Sequence, residues 1–232
     1  MIEIYADGAN IENIIELNKD MLISGFTTNP SLLKKAGVTN YEEFGREVLK
    51  HVKEKPVSFE VISDNLEEME NQALKIASWG GKNVFVKIPI SNTLGITTYG
   101  VINRLSSYGI KINVTAIFTL TQIENAIKSL DGNPGIISIF AGRIEDTGVD
   151  AAPFFEWVHR KELIQSFDIK LLWASTREIF SIVKAEECGA DIITVSHDLL
   201  KKMSLKGKNL QEYSLETVKQ FYNDALESGL VV

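Results

Sequence analysis

Lys87 has the most chemistry to offer in this sequence, because it stands inside the apolar run VFVKIPI. Lysine is among the residue types least often buried, and a buried one either finds a partner or loses its proton. At an ordinary pKa of about 10.4, roughly one lysine in two to three thousand is neutral at pH 7. Desolvation and nearby cations lower that value, and the neutral amine attacks carbonyl groups. The iminium so formed is an electron sink that permits cleavage of a carbon–carbon bond beta to it. A second charge, Glu60, interrupts the run SFEVI. The plainer reading of the two is a buried structural ion pair.

Other polar groups stand at the ends of apolar runs: Asp7, Thr27-Thr28-Asn29, Asn113, Thr115, Ser138, Arg143, Ser175 and Arg177, with Thr194, Ser196 and His197 last. Each alone has an ordinary explanation. Asp7 suits a turn or a cap, Asn29 before Pro30 is a turn residue, and Thr115 and Ser138 fit a core with satisfied hydroxyls. Arg143 has Glu145 and Asp146 nearby in sequence, and Arg177 has Glu178. Jointly the set is harder to dismiss. Arginines with a serine near the end of a βα chain suit a small anion such as phosphate.

Short apolar runs alternate with segments of helical periodicity along the whole chain, the pattern of βα units. Strands are predicted over Glu3–Ala6, Leu22–Thr27, Val57–Ile62, Val84–Ile88, Ile112–Ala116, Ile136–Phe140, Lys170–Ala174 and Asp191–Val195. Helices are predicted over Leu66–Trp79, with Met69, Ala73 and Ile76 on one face, and from Thr119 or Thr121 to Leu130. Thr121 and Glu124 have capping-box spacing. Gly80-Gly81, Gly109, Gly132-Asn133 and Gly189 read as helix stops. Eight such units in 232 residues predict an α/β fold, a single (β/α)8 TIM barrel. An open doubly wound sheet is the rival, but Ala6-Asp7-Gly8-Ala9-Asn10 lacks its glycine fingerprint. No linker divides the chain, so residues 1–232 are predicted to form one domain. An added C-terminal helix at 214–228 packs under the barrel or on a neighbouring subunit.

Composition narrows the function. The net charge is −7, and no stripe of basic residues with interleaved aromatics is present, so no nucleic-acid partner is expected. No apolar run is long enough to cross a membrane. A single cysteine, Cys188, and an N-terminus without a secretory signal lead to the expectation of a cytoplasmic protein. His51, His159 and His197 are far apart in sequence and have no metal-ligand spacing, so no metal and no cofactor are expected.

Several motifs in order resemble the transaldolase family: Gly25-Phe26-Thr27-Thr28-Asn29-Pro30-Ser31, Val84–Pro89 around Lys87, Asn113–Phe118, Ser138–Asp146 and Ala174–Arg177. The resemblance runs from Asp7 to the eighth strand. It implies a class I enzyme of sugar-phosphate metabolism, acting in pentose phosphate interconversion, in which Lys87 forms an imine with a ketose phosphate. Asp7 would move the proton of the C4 hydroxyl as the C3–C4 bond breaks and forms. Glu60 with Thr115 would hold the water of imine formation and hydrolysis. Thr28, Asn29, Asn113 and Ser138 would bind the three-carbon unit, Phe140 would shape the pocket, and Arg143, Ser175 and Arg177 would take the phosphate.

A short-chain branch of the family, the fructose 6-phosphate aldolases, releases free dihydroxyacetone, and this chain has a similar length. In that branch the positions matching Glu60 and Phe140 are glutamine and tyrosine. The residues here follow the transaldolase pattern, which implies transfer of the dihydroxyacetone unit to an aldose phosphate. Departures fall at Ser91-Asn92-Thr93, Thr147–Asp150 and the helix around Trp157, expected at the mouth. A sulfonate would present oxygens like those of a phosphate, so a modified sugar is an alternative substrate. A non-catalytic sugar-phosphate-binding barrel is the alternative from another class. The resemblance also implies a homo-oligomer, a ring of five or two stacked rings.

Overall fold

The computed structural model describes residues 2–80, 82–164 and 168–229. The chain divides into two compact units, Met1–Leu200 and Lys201–Val232. In the first, eight parallel strands close into a barrel in sequence order: β1 (Glu3–Asp7), β2 (Ile23–Thr27), β3 (Val57–Glu60), β4 (Val84–Pro89), β5 (Ile112–Ile117), β6 (Gly135–Ile139), β7 (Ile169–Trp173) and β8 (Ile192–Ser196). The (β/α)8 barrel expected from the sequence is the observed fold, and the eight strands lie within two residues of their expected bounds.

Helices follow the strands: α1 (Ile11–Asn18), α2 (Pro30–Lys35), α3 (Tyr41–His51), α4 (Leu66–Ala77), α5 (Tyr99–Ser107), α6 (Leu120–Ser129), α7 (Ala141–Glu145), α8 (Ala152–Arg160), α9 (Phe180–Glu187) and α10 (His197–Lys201). Asparagine starts many of them. Asn10, Asn29, Asn40 and Asn65 each accept a hydrogen bond from a first-turn backbone N–H, which satisfies a donor the helix leaves open. α4 buries Met69, Ala73 and Ile76 as expected, but it ends at Ala77 rather than Trp79. The α6 cap is Thr119 with Gln122, not Thr121 with Glu124, because the chain turns helical two residues earlier. Gly109, Gly132 and Gly189 adopt positive φ after their helices, whereas Gly80 does not, and Gly81 lies outside the described residues.

Alternate strand residues point into the barrel. Tyr5, Ile136, Leu172, Ala174 and Ile192 pack there with Phe85 and Phe140. Tyr5 fits because β2 has glycine beside it; a Cβ on Gly25 would lie 2.7 Å from the Tyr5 ring. The second unit holds a short 3-10 turn (Lys202–Leu205) and α11 (Leu210–Ser228), capped by Asn209. α11 is longer than the expected 214–228, and among its described residues none is buried.

Candidate active site

Strand register brings the charged residues together. β3 and β4 place Glu60 opposite Lys87, and β4 and β5 place Lys87 opposite Asn113. Across the barrel, β1 and β2 place Asp7 opposite Thr27. Asp7, Thr27 and Glu60 are the last residues of their strands and Lys87 lies in the second half of β4, at the end where the loops of such barrels build active sites, whereas Asn113 is the second residue of β5.

Lys87 is 6% exposed. Its Nζ is 3.0 Å from Glu60 Oε2 and donates to the Thr28 carbonyl at 3.0 Å. The ion pair that sequence alone offered as the plainer reading is therefore present. It lies in the wall of a cavity of about 450 Å³, a size suited to a small organic ligand. The same cavity is walled by Asp7, Asn29, Thr115, Ser138, Phe140, Arg143 and Ser175. A buried pair that borders a cavity is available to a ligand, which a purely structural pair is not.

Asp7 accepts a hydrogen bond from the Thr27 hydroxyl at 2.8 Å. Burial pushes its carboxyl above the usual range, partly offset by the nearby Lys87 and the Thr27 bond, and Glu60 adds to the rise. A carboxyl held there gives and takes a proton more readily than a surface aspartate. Thr115 Oγ1 is buried with no hydrogen-bond partner among the described residues. Buried hydroxyls are ordinarily satisfied, so this one, in a cavity wall beside Glu60 and Lys87, is free to hold a water or a substrate hydroxyl.

Three of the expected site residues do not wall the cavity. Thr28 is fully buried, and its hydroxyl donates to the Ser58 carbonyl. Asn113 is also fully buried; it donates to Ser58 Oγ at 3.2 Å and accepts from Ser138 Oγ at 2.6 Å. Arg177 is turned to Asp146, with two Nε contacts of 3.1 Å and one Nη2 contact of 2.6 Å. That pairing lowers the Asp146 pKa and raises that of Arg177. Arg143 instead lies over the Phe140 ring, 5.3 Å from its centroid, and faces the cavity. Asn29 has a double role, since Oδ1 caps α2 through Leu32 N while the residue also walls the cavity. The stretches Ser91–Thr93 and 147–150 and the helix around Trp157 are not part of this wall.

Sequence reasoning missed Ser58, which anchors Asn113, and Tyr41, whose hydroxyl meets the Glu60 backbone. Ser58 is a small hydroxyl overshadowed by Glu60 two residues later, and Tyr41 reads as an ordinary first residue of a charged helix, Tyr41-Glu42-Glu43. It also missed that Ala116 and Ser175, both in the wall, have φ of 60° and 66°. Non-glycine residues in this region carry strain and gather at functional sites. A second cavity of about 480 Å³ opens at the other end of the barrel, among Lys53, Lys82 and Lys111, with none of these groups. Among the described residues, no group of three or more His, Cys, Asp or Glu is placed to hold a metal ion.

A solved N-acetylneuraminate lyase from Mycoplasma synoviae superposes with a TM-score of 0.56 at 11% identity, covering 96% of this chain and 80% of that one, a likeness of fold alone. A "Probable transaldolase" of Methanococcus maripaludis (strain C7) is 35% identical over 202 residues, 87% of this chain and 89% of the relative. A "Probable transaldolase" of Thermoanaerobacter sp. (strain X514) has the same identity and coverage. Residues 4–230 match the family described as Transaldolase/Fructose-6-phosphate aldolase. With 35% identity over most of its length and a match spanning nearly every residue, this chain belongs to the transaldolase/fructose-6-phosphate aldolase family.

Proposed function

We propose that the protein is a class I transaldolase that moves a dihydroxyacetone unit from a ketose phosphate to an aldose phosphate through an imine on Lys87. The observation that carries this reading is the buried Lys87 amine in the cavity wall, 3.0 Å from Glu60, with Asp7 in the same wall. Neutral Lys87 adds to the C2 carbonyl, and the resulting carbinolamine loses water as the iminium forms. Glu60 accepts and returns the protons of that step, with the water held between it and the free Thr115 hydroxyl. Asp7 then takes the C4 hydroxyl proton, the C3–C4 electron pair moves into the iminium to give an enamine, and an aldose phosphate leaves. The acceptor aldehyde is attacked by the enamine, its oxygen takes the proton back from Asp7, and water frees the product from Lys87. No electrons are gained or lost overall. Arg143 and Ser175 line the end of the cavity suited to the terminal anion.

Borohydride added with fructose 6-phosphate should fix a three-carbon adduct on the peptide containing Lys87. Supplying erythrose 4-phosphate should divert that unit to a seven-carbon ketose, with little free dihydroxyacetone. An unmodified Lys87 would return the protein to a sugar-phosphate-binding role. Rapid release of dihydroxyacetone with no preference for an acceptor would make it an aldolase.

A further inference from the structure

Glu60 is the last residue of β3, and β3 is held poorly on one side there. Parallel ladders alternate, so successive residues bond to opposite neighbours. Val57 N donates to Asn83 O at 2.8 Å and Val61 N to Lys87 O at 3.0 Å, both toward β4. Ser58 O instead accepts from Thr28 N, on the β2 side. The backbone groups of Glu60 therefore face β2 as well. β2 has ended: its pairing with β3 covers only Phe26 with Val57 and Thr27 with Ser58. Left so, the N–H and C=O of Glu60 would lack a strand neighbour beside a cavity that needs its carboxylate fixed.

A single side chain occupies the vacant place. Tyr41 Oη accepts from Glu60 N at 2.8 Å and donates to Glu60 O at 3.0 Å. Tyr41 is the first residue of α3, whose start is set by the Asn40 cap. Its ring stands edge-on to Trp79, with centroids 5.2 Å apart, and edge-on to Phe59 at 6.3 Å. Trp79 reaches that place because α3 carries Gly45, where a Cβ would come within 2.5 Å of the indole. Burial pushes the phenol pKa up, so the hydroxyl keeps the proton it donates.

We infer that Tyr41 is a positioning residue for the Glu60–Lys87 pair, its hydroxyl standing in for the strand neighbour that β2 does not supply. Two hydrogen bonds to the backbone N–H and C=O of one residue fix the backbone from which the carboxylate reaches Lys87. The functional consequence rests on the reading of Lys87 as the imine-forming amine; the geometric one does not.

Tyr41→Phe keeps the ring and its packing and removes both bonds. A crystal structure of the variant should show Glu60 Oε2 and Lys87 Nζ separated beyond about 3.5 Å, outside hydrogen-bond distance. Borohydride trapping with fructose 6-phosphate should slow by on the order of tenfold, less than the 10²–10⁴ of losing a proton-transfer group outright. KM should stay within about twofold, since the anion-binding end is untouched. Trp79→Phe, which loosens the same aromatic cluster and spares the hydroxyl, should lower the thermal midpoint and leave trapping at the wild-type rate. An unchanged Glu60–Lys87 spacing, an unchanged trapping rate in Tyr41→Phe, or equal slowing in Trp79→Phe would overturn the inference. If wild-type Lys87 forms no adduct at all, the proposed activity fails, and the spacing alone decides the role of Tyr41.

Discussion

Asp7 shows how much of this site depends on the environment of single side chains. Its carboxyl is buried and its pKa raised, so ionising it in the folded chain costs more than in the unfolded chain. Below about pH 3.9, the ordinary aspartate value, the group is neutral in both states and no penalty arises. As pH rises through the raised folded value the penalty becomes complete. Asp7→Asn should therefore melt higher than the wild type at neutral pH, with the gain fading toward pH 3.9, as thermal scans across pH would show. The variant should form the Lys87 imine yet fail to cleave C3–C4, since the proton acceptor is gone. The two arginines differ in the same manner. Arg143 faces the cavity and Arg177 is engaged by Asp146. Arg143→Gln should raise KM for a phosphorylated ketose by about tenfold or more, the scale of a lost charged hydrogen bond, with Arg177→Gln raising it less. Steady-state kinetics on both variants checks the order.

At the scale of elements, the clearest device is the contact between α7 and the loop after β7. Gly142 N donates to Ala174 O at 3.2 Å, and a Cβ on Gly142 would lie 1.7 Å from the Ser175 carbonyl oxygen. Two residues of the cavity wall, Arg143 and Ser175, are thus held in fixed relation by a backbone contact that only glycine permits. Gly142→Ala should cost about 3 kcal/mol or more in chemical denaturation, because the clash is with backbone. It should also raise KM for phosphorylated substrates as Arg143 and Ser175 move apart. Elements of this kind were only partly legible in the sequence. The asparagine caps and apolar runs are local signals, and they marked strands within two residues of their bounds. The start of α6 stayed open between Thr119 and Thr121 because both suit a cap, and the structure gives the cap to Thr119.

For the molecule as a whole, the net charge of −7 contrasts with the two cations, Lys87 and Arg143, that face the cavity. Among the described residues, no helix is long and apolar enough to cross a membrane. In the second unit, α11 exposes Leu210, Leu215, Val218, Phe221, Tyr222 and Leu226. We propose that this helix buries those side chains against a second copy of the chain, giving the homo-oligomer that the family resemblance implies. Sedimentation should then find an assembly in the wild type that a Phe221→Glu, Leu226→Glu variant loses. A wild-type chain that sediments as a monomer sinks this proposal.

The sequence by itself determined the number and order of the βα units, the barrel, the family and the lysine that stands out of place in an apolar strand. These rest on signals carried by neighbouring residues: apolar runs, caps, and charges where charge is out of place. Only the tertiary structure decided which residues meet. Strand register sets Glu60 against Lys87 and Asn113, and a one-residue slip would turn those side chains out of the barrel. Folding also turned Arg177 to Asp146 rather than to the cavity wall, gave Asn113 to a buried hydrogen-bond chain, and brought Tyr41 to Glu60. Such contacts depend on distances between segments far apart in the chain, which no local pattern encodes.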